Sequence, residues 1–217
     1  LKAGMTLDGQ IATARGESKW ITGLQSRREV HRLRSSVDAV IVGIGTVLSD
    51  NPSLTARRPP GLTALAATQP TRIVVDSGLR IARSAKILMQ QSSSKTIIAT
   101  TKAAPSARRR VLERQGIEML VLPSLGGHVS LKHLLIALGQ RGMMSVMVEG
   151  GGELNAAFFK AKLVNHVQLY VAPTLLGGTQ SKGVIGGVSP RRLADAWKLK
   201  RVRTRILGSD VVVEGDV

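Results

Sequence analysis

Short apolar runs rich in β-branched residues alternate with amphipathic stretches along most of the chain. The apolar runs, which predict strands buried on both faces of a parallel sheet, lie at 38–43, 71–76, 95–100, 117–122 and 145–150. The amphipathic stretches, which carry apolar residues at helical spacing, lie at 22–36, 105–115, 130–141 and 152–163. This alternation predicts an α/β fold in which helices flank a mostly parallel central sheet.

Several of the predicted helices carry boundary signals in their sequence. Thr22 and Gln25 have the T-x-x-Q spacing of a capping box, which predicts the start of the first helix. The helix over 105–115 begins at Pro105 and is followed by Gly116, the usual asymmetry of helix ends. Ser130 occupies the N-cap position of the next helix.

The pattern changes in the last third of the chain. The runs 166–173, 201–207 and 210–215 predict a strand followed by an antiparallel C-terminal hairpin on a mixed sheet. The remaining irregular segments are an alanine- and threonine-rich loop over 61–69 and a glycine-rich loop over 177–190. Because there is no internal repeat and no long linker, we predict a single domain spanning 1–217.

The charge balance is strongly basic, with 31 Lys and Arg against 14 Asp and Glu and a net charge of +17. Such a charge attracts polyanions, so nucleic acid is one candidate partner. The aromatic residues that could stack on bases are few, namely Trp20, Trp197, Phe158, Phe159 and Tyr170. We therefore favour a basic surface that steers small anionic substrates, and we expect neither nucleic acid nor a membrane as a partner.

Two absences narrow the candidate chemistry further. The chain has no cysteine, which excludes disulfides, thiolate-ligated zinc and cysteine nucleophiles. No apolar run approaches the ~20 residues that a membrane-spanning helix needs. The histidines, which we predict to be surface residues and not metal ligands, are His31, His128, His133 and His166. Together these features fit a cytoplasmic protein without a bound metal.

Three consecutive glycines, Gly150 to Gly152, join the strand that ends at Glu149 to the helix that follows. Ligands of α/β sheets bind outside the carboxyl ends of the parallel strands. Glycines at such a turn let the backbone approach a diphosphate, and the first turn of the helix offers free N–H groups. The alternative is a tight turn without a ligand, because this stretch does not match the G-x-G-x-x-G fingerprint.

Polar segments also follow other predicted strands. They read LKAGMTLDGQIATARGESKWIT from residue 1, GIGTVLSDNPSLTAR from residue 43 and VVDSGLR from residue 74. Together with VEGG and APTLLGG, they occur in the order and with the spacing found in one enzyme family. On these motifs the chain resembles, from Leu1 to about Val213, the reductase half of the bacterial bifunctional riboflavin-biosynthesis deaminase/reductase.

The resemblance implies a dihydrofolate-reductase-like fold, NADPH as cofactor and a homodimer. Its reaction reduces 5-amino-6-(5-phosphoribosylamino)uracil to the 5-phosphoribitylamino compound, with hydride reaching C1′ of the opened sugar. The zinc deaminase half is absent from this chain, which has none of the cysteine ligands that half requires. Two alternatives stay open, namely a reductase separated from an N-terminal deaminase domain and a reductase that stands alone.

The resemblance also assigns roles to individual residues. The residues that would hold NADPH are Gly4, Trp20, Thr46, Asp50, Ser77, Arg80, Gly150, Gly151, Gly152, Glu153, Leu154 and Asn155. The residues that would meet the substrate are Ser18, Arg34, Leu54, Arg57 and Glu149. Ser77 and Arg80 would bind the 2′-phosphate, and the guanidinium groups of Arg34 and Arg57 would bind the 5′-phosphate. It further implies a cis peptide between Gly150 and Gly151.

The proton donor is the least determined part of this hypothesis. The titratable groups in the matching segments are Lys2, Asp8, Asp50 and Glu149. We favour Asp50, which lies between the predicted cofactor and substrate contacts, with Lys2 second and Glu149 as a further catalytic candidate that accepts hydrogen bonds from the pyrimidine.

Three other functions remain as alternatives. One is the related reductase that acts on the 2,5-diamino-6-ribosylamino-pyrimidinone 5′-phosphate before deamination. A dihydrofolate reductase is a weaker candidate, because folate binding does not account for Arg34 and Arg57, which suit a phosphate group, or for the GESKWIT segment. A basic nucleic-acid-binding module is the last, and it would show salt-dependent affinity with no dependence on NADPH.

Overall fold

The structure is a computed structural model that describes residues 1–57, 68–89 and 94–217. Most of the loop predicted over 61–69 lies outside these residues. By contact density the chain divides into two compact units, the first formed by 1–30 and 148–217 and the second by 31–147. The single domain over 1–217 remains a prediction.

The strands and helices alternate as the sequence predicts. In chain order the first half contains β1 Lys2–Thr6, β2 Gln10–Ala12, α1 Leu24–Ser35, β3 Ala39–Gly43, α2 Ile44–Asp50, β4 Thr71–Val75, α3 Lys86–Met89 and β5 Thr96–Thr101. The second half contains α4 Ser106–Arg114, β6 Glu118–Leu122, β7 Ser124–Leu125, β8 His128–Val129, α5 Leu131–Gly139, β9 Val146–Val148, α6 Gly152–Lys160, β10 His166–Ala172, β11 Lys182–Gly183, β12 Lys200–Leu207 and β13 Asp210–Asp216.

The second unit contains the central sheet, whose five strands lie in the order β6-β5-β4-β3-β9. Strands β3 to β6 pair in parallel, each with the next in the chain. The central β-branched side chains of β3 and β4, Val40 to Val42 with Ile73 and Val74, are completely buried, because a parallel sheet with helical crossovers is covered on both faces. The predicted α/β class with a mostly parallel central sheet is therefore confirmed.

An apolar cluster forms the core of this unit. It gathers side chains from the strands, such as Val42 and Val74, with Leu112 of α4 and Ile87 of α3. Helix α2 contributes Val47 to the same cluster. No helix is predicted from sequence over this segment. Its helical signal is weak because the segment is short and rich in glycine and β-branched residues.

The first unit contains a four-stranded sheet in the order β1-β10-β13-β12. Strand β1 runs parallel to β10, whereas β13 is antiparallel to both β10 and β12. The predicted C-terminal hairpin is thus confirmed, with Gly208 at its turn in the left-handed region at φ 68°. It belongs to this mixed sheet and does not extend the parallel one.

The start of α1 differs from the predicted capping box. The Asp210 carboxylate, which is buried, accepts hydrogen bonds from the Gly23 N–H at 2.7 Å and the Ser26 hydroxyl at 2.5 Å. A negative charge at this end also complements the helix dipole. Because a residue 187 positions away supplies the cap, the local Thr22 and Gln25 spacing could not reveal it.

Candidate active site

The predicted site residues fall into two groups according to the unit that carries them. The first unit carries Lys2, Gly4, Ser18, Trp20 and Glu149 to Asn155. The second unit carries Arg34, Thr46, Asp50, Leu54, Arg57, Ser77 and Arg80. Each group has its own geometry.

The glycine turn before α6 has ordinary backbone geometry. Gly151 is extended, with φ −77° and ψ 173°, and none of Gly150 to Gly152 is among the glycines with positive φ. The predicted cis peptide between Gly150 and Gly151 is wrong, since the cis bond among the described residues lies between Lys19 and Trp20. A sharp turn therefore does not explain the three glycines.

Close approach of neighbouring atoms explains two of them. A Cβ atom on Gly152 would lie 2.5 Å from the Gly183 carbonyl oxygen and 3.0 Å from the Gly186 nitrogen. The Gly186 N–H donates a hydrogen bond to the Gly152 carbonyl at 3.0 Å. A Cβ atom on Gly150 would lie 2.9 Å from the Cβ of Leu154. The segment 183–187 thus packs directly against the start of α6, where only glycine leaves enough room.

The remaining residues at the start of α6 are arranged around this contact. The side chain of Asn155 is fully buried, and its Nδ2 donates to the Val184 carbonyl at 2.8 Å. Its Oδ1 has no hydrogen-bond partner among the described residues. Glu153 is exposed and Leu154 half-buried. Asn155 therefore holds the 183–187 segment in place, and a direct contact with NADPH through its side chain remains a prediction.

Two of the catalytic candidates meet in the first unit. The Nζ of Lys2 lies 3.9 Å from Oε2 of Glu149, and the two side chains are only 16% and 9% exposed. The same ammonium lies 5.6 Å from the ring centroid of Tyr170, a cation–π arrangement. Lys2 and Glu149 together provide ammonium N–H donors and carboxylate acceptors that are largely shielded from water.

Tyr170 continues this polar cluster into the sheet. Its hydroxyl donates to Oε1 of Glu29 at 2.8 Å, and Glu29 also forms an ion pair with Arg205. Burial raises the pKa of Tyr170 far above its ordinary value, and the hydrogen bond to Glu29 and the charges of Glu29 and Glu149 add to the increase. Tyr170 therefore stays neutral and donates a hydrogen bond at physiological pH.

Asp8 has a structural task in this unit. Its carboxylate accepts hydrogen bonds from the Thr6 hydroxyl at 2.5 Å and from the Gly177 N–H at 2.7 Å. These bonds, the Thr6 one first, lower the pKa of Asp8 below its ordinary value. Asp8 thus ties the turn after β1 to the glycine-rich loop after β10.

The remaining predicted site residues of the first unit are Gly4, which lies in β1, and Ser18 and Trp20, which lie between β2 and α1. A Cβ atom on Gly4 would lie 3.0 Å from Cγ2 of Thr22, so this glycine also permits a close approach. Trp20 is 72% exposed, and the Arg27 guanidinium lies over its ring at 4.7 Å from the centroid. Ser18 is half-buried. An indole with so much exposed surface is available for a planar ligand.

In the second unit, the two phosphate-type arginines lie at one short segment. Nη1 of Arg34 donates to the Thr55 carbonyl at 3.2 Å, and Arg57 follows two residues later with an exposed side chain. His31, one turn before Arg34 on α1, also contacts this segment, with Nδ1 3.1 Å from the Thr55 carbonyl. Arg34 thus contacts the main chain close to Arg57, and the binding of a 5′-phosphate by both residues remains a prediction.

Leu54 has a different position from that expected of a substrate contact. It adopts a left-handed conformation at φ 53°, and its side chain is buried in the apolar cluster of the second unit. Asn51 is also left-handed and ends α2, while its Oδ1 accepts from the Lys86 N–H at 2.8 Å. Side-chain contact between Leu54 and a ligand is therefore confined to the little surface that remains exposed.

Thr46 and Asp50 both lie on α2. The Asp50 carboxylate accepts a hydrogen bond from the Ser49 hydroxyl at 2.8 Å, and its residue is half-buried. Asp50 is the last residue of the helix. Asp50 thus lies a helix length beyond the carboxyl end of β3, and its role as proton donor stays a prediction.

The turn after β4 presents Ser77 and Arg80. The buried Asp76 carboxylate accepts from the Ile81 N–H at 2.8 Å and closes this turn. The Ser77 hydroxyl accepts from the Val129 N–H at 3.0 Å, which leaves its own proton for an acceptor, while Arg80 is exposed. A hydroxyl donor and an exposed guanidinium on one rigid turn suit a phosphate group.

Comparison with known proteins identifies the family. Residues 1–213 match the model of the RibD C-terminal domain. The chain belongs to this family. The Actinobacillus pleuropneumoniae riboflavin biosynthesis protein RibD is 38% identical over 99% of the chain. The 2,5-diamino-6-ribosylamino-4(3H)-pyrimidinone 5′-phosphate reductase of Methanothermobacter thermautotrophicus is 37% identical over the same share. The resemblance stated from the motifs is therefore confirmed.

The chain and its relatives in the RibD C-terminal domain family differ in length. The chain spans 55% of the Actinobacillus protein but 95% of the Methanothermobacter reductase. Among solved structures, Acinetobacter baumannii RibD superposes with a TM-score of 0.84 at 30% identity, over 100% of this chain and 57% of that one. The fold of this chain thus corresponds to about half of the RibD chains.

The described residues show neither a metal-binding cluster nor a membrane-spanning helix. Within 1–57, 68–89 and 94–217, no cluster of three or more histidine and acidic side chains could hold a metal ion. Over the same ranges no helix has both the length and the apolarity that crossing a bilayer requires.

One residue of the candidate site in the RibD C-terminal domain is missing from the sequence-based assignment. His31 is predicted from sequence to be a surface residue without a role in the site, yet it contacts the segment that carries Arg57. Its three-residue spacing from Arg34 on a predicted helix is the available signal, since residues at that spacing share a helix face.

Proposed function

We propose that this chain reduces the ribosylamino group of a pyrimidine 5′-phosphate to a ribitylamino group in riboflavin biosynthesis, using NADPH. The first candidate substrate is 5-amino-6-(5-phosphoribosylamino)uracil, and the alternative is the 2,5-diamino-6-ribosylamino-pyrimidinone 5′-phosphate. The observation that carries the proposal is the match of residues 1–213 to the RibD C-terminal domain. The Methanothermobacter relative, a reductase by name of which this chain spans 95%, supports the proposal.

NADPH, when bound, supplies hydride to the substrate carbon that is reduced. The residues present fit this cofactor in each unit separately. At the start of α6, the N–H groups of the first helical turn suit a diphosphate, although the space beside Gly152 itself is taken by segment 183–187. On the turn after β4, Ser77 and Arg80 provide a hydroxyl and a guanidinium for the 2′-phosphate that separates NADPH from NADH.

The 5′-phosphate of the substrate falls to Arg34 and Arg57. Two guanidinium groups bind a phosphate monoester through paired N–H donors, which fixes its orientation as well as its position. Arg34 reaches the Thr55 carbonyl with Nη1, so its guanidinium is already oriented at this segment. With the phosphate held in this way, the remaining side chains would need to position only the opened sugar and not the whole substrate.

Proton handling would use Lys2, Glu149 and Asp50. The Glu149 carboxylate accepts hydrogen bonds from pyrimidine N–H groups, and Lys2 beside it keeps that charge compensated. Asp50 is our first choice for delivering a proton to the nitrogen or oxygen at the reduced carbon. Lys2 is the second choice, because an ammonium group carries a transferable proton at neutral pH.

The test is NADPH oxidation with each of the two pyrimidine phosphates, and with dihydrofolate as a third substrate. We expect turnover with at least one pyrimidine phosphate and none with dihydrofolate. In Arg34→Ala and Arg57→Ala the substrate KM should rise by roughly tenfold or more, the effect of losing a charged hydrogen bond worth ~1.5–3 kcal/mol, with kcat little changed. Oxidation of NADPH with dihydrofolate alone would contradict the proposal.

A homodimer and a cytoplasmic location are part of the same proposal. Binding of nucleic acid provides a control, because the net charge of +17 favours it. We expect any such binding to weaken steeply with salt and to leave NADPH oxidation unaffected.

A further inference from the structure

Residues 52–57, which follow α2 and carry Leu54 and Arg57, belong to neither a helix nor a strand. Side chains replace the missing partners. The Gln69 amide donates to the Ala56 carbonyl at 2.8 Å and accepts from the Ala56 N–H at 3.0 Å. The buried Arg72 donates to the Ser53 carbonyl at 3.3 Å. Buried polar main-chain groups require such partners. Side chains outside this segment, those of Gln69 and Arg72, therefore stabilise its conformation.

His31 contributes to the same arrangement at the residues nearest to Arg57. Its Nδ1 lies 3.2 Å from the Arg57 nitrogen, whose N–H donates to it, and 3.1 Å from the Thr55 carbonyl oxygen. One nitrogen cannot serve both contacts at once. It accepts from Arg57 only without a proton, and it donates to Thr55 only with one.

The Arg34 contact decides between these two states. The Thr55 carbonyl accepts a hydrogen bond from Nη1 of Arg34 at 3.2 Å, so it is satisfied in either state of His31. The Arg57 N–H, in contrast, requires the bare Nδ1 of His31. The neutral tautomer with its proton on Nε2 satisfies both main-chain groups, and we assign it to His31.

We propose that His31 is a positioning residue for the substrate phosphate. Through Nδ1 it fixes the main chain at Arg57, while Arg34, one turn later on the same helix face, fixes Thr55. The two arginines therefore present their guanidinium groups to a phosphate monoester with a set separation. This inference rests on the proposed function, in which Arg34 and Arg57 bind the 5′-phosphate.

The test compares two substitutions at the same position. His31→Leu keeps the bulk and removes the acceptor, whereas His31→Asn places the Oδ1 acceptor close to the position of Nδ1. His133→Leu is the matched control, since His133 lies on α5 of the same unit and its Nδ1 contacts the hydroxyl of Ser130 at 2.8 Å, away from Arg34 and Arg57 in the chain. Each variant is assayed for KM and kcat with the pyrimidine phosphate, and for binding of ribose 5-phosphate and of ribose by calorimetric titration.

We expect His31→Leu to raise the KM roughly tenfold with kcat within about twofold, as for a lost hydrogen bond that orients a ligand-binding group. His31→Asn should recover most of that loss, and His133→Leu should match the unmodified protein. Ribose 5-phosphate binding should follow the same order, whereas ribose should not distinguish the variants. An unchanged KM in His31→Leu, or an equal loss in His31→Asn, would overturn the inference.

The ribose 5-phosphate measurement separates this inference from the proposed function. If the unmodified protein reduces neither pyrimidine phosphate, the proposed reaction fails. The positioning role is then upheld if His31→Leu loses ribose 5-phosphate binding and His31→Asn retains it. It is overturned if the unmodified protein and both variants bind ribose 5-phosphate equally, or if none of them binds it.

Discussion

Replacing Gly152 by alanine tests the explanation given for the glycine turn. The new Cβ atom would lie 2.5 Å from the Gly183 carbonyl oxygen, about 0.9 Å short of the 3.4 Å at which ordinary contacts begin. The obstructing atoms belong to the main chain, so no side-chain rotation can relieve the clash. Segment 183–187 or the first turn of α6 must therefore move.

The expected cost follows from what that movement disrupts. Overpacking of this kind costs ~1–3 kcal/mol, and displacement weakens the hydrogen bond from the Gly186 N–H to the Gly152 carbonyl, worth ~1 kcal/mol. The better helix propensity of alanine offsets up to ~1 kcal/mol. The net destabilisation of about 1–3 kcal/mol corresponds to a fall in Tm of roughly 3–10 °C for a chain of this size.

The assay is thermal unfolding without any cofactor, with Gly139→Ala as the matched control. Gly139 ends α5, is not among the glycines with positive φ, and has no described atom within 4 Å of the place that a Cβ would occupy. We expect Gly139→Ala to keep or slightly raise the Tm. Equal melting temperatures for the two variants would refute the close-approach explanation and return the turn to a role that depends on a ligand.

Four further predictions address the site. Gly151→Ala should keep its Tm, because its extended backbone suits any residue, and should raise the KM for NADPH more than about tenfold if the diphosphate lies over this turn. Arg80→Ala should remove most of a preference for NADPH over NADH that we expect to be at least about tenfold in kcat/KM. Asp50→Asn should lower kcat with the fold intact, and near-full turnover would make Lys2 the better proton donor. Tyr170, the single tyrosine, should remain protonated near its ordinary pKa of 10.0 while the protein is folded, so no tyrosinate absorbance should develop there. Because the pKa of Tyr170 is raised in the folded state, its contribution to the free energy of unfolding is present below pH 10 and is lost as the pH rises through the folded pKa.

The alternation of elements was readable from sequence for definite physical reasons. The strands β3 to β5 are buried on both faces, so their β-branched runs are nearly continuous, and the helices between the strands need only one apolar face. Strand β6, which was also expected to be buried on both faces, lies at the edge of the sheet and leaves Val121 exposed. The polar segments after these strands were assigned to a site because the ends of parallel strands lie along one edge. Lys2 and Glu149 pair within the first unit, although Lys2 lies at the amino end of β1, so the site at the strand ends stays a prediction.

The features missed depend on residues that are distant in the chain. Asp210 caps α1 through Gly23 and Ser26, and segment 183–187 fills the space beside Gly152, so local spacing carried no sign of either contact. His31 was missed because its partners are main-chain groups, which leave no pattern in the residue types. The triple glycine was interpreted as a place where the backbone approaches a diphosphate, whereas the space beside Gly152 is taken by segment 183–187.

The most direct test of the proposed reaction follows the hydride itself. The protein is incubated with NADPH carrying deuterium at C4 of the nicotinamide and with 5-amino-6-(5-phosphoribosylamino)uracil or its 2,5-diaminopyrimidinone counterpart. We expect NADPH oxidation with at least one of them and a product that carries the deuterium at C1′ of a ribityl chain. The proposed function would be contradicted if NADPH were oxidised with neither substrate. It would also be contradicted if the product lacked deuterium at C1′ whichever face of the nicotinamide C4 carried the deuterium.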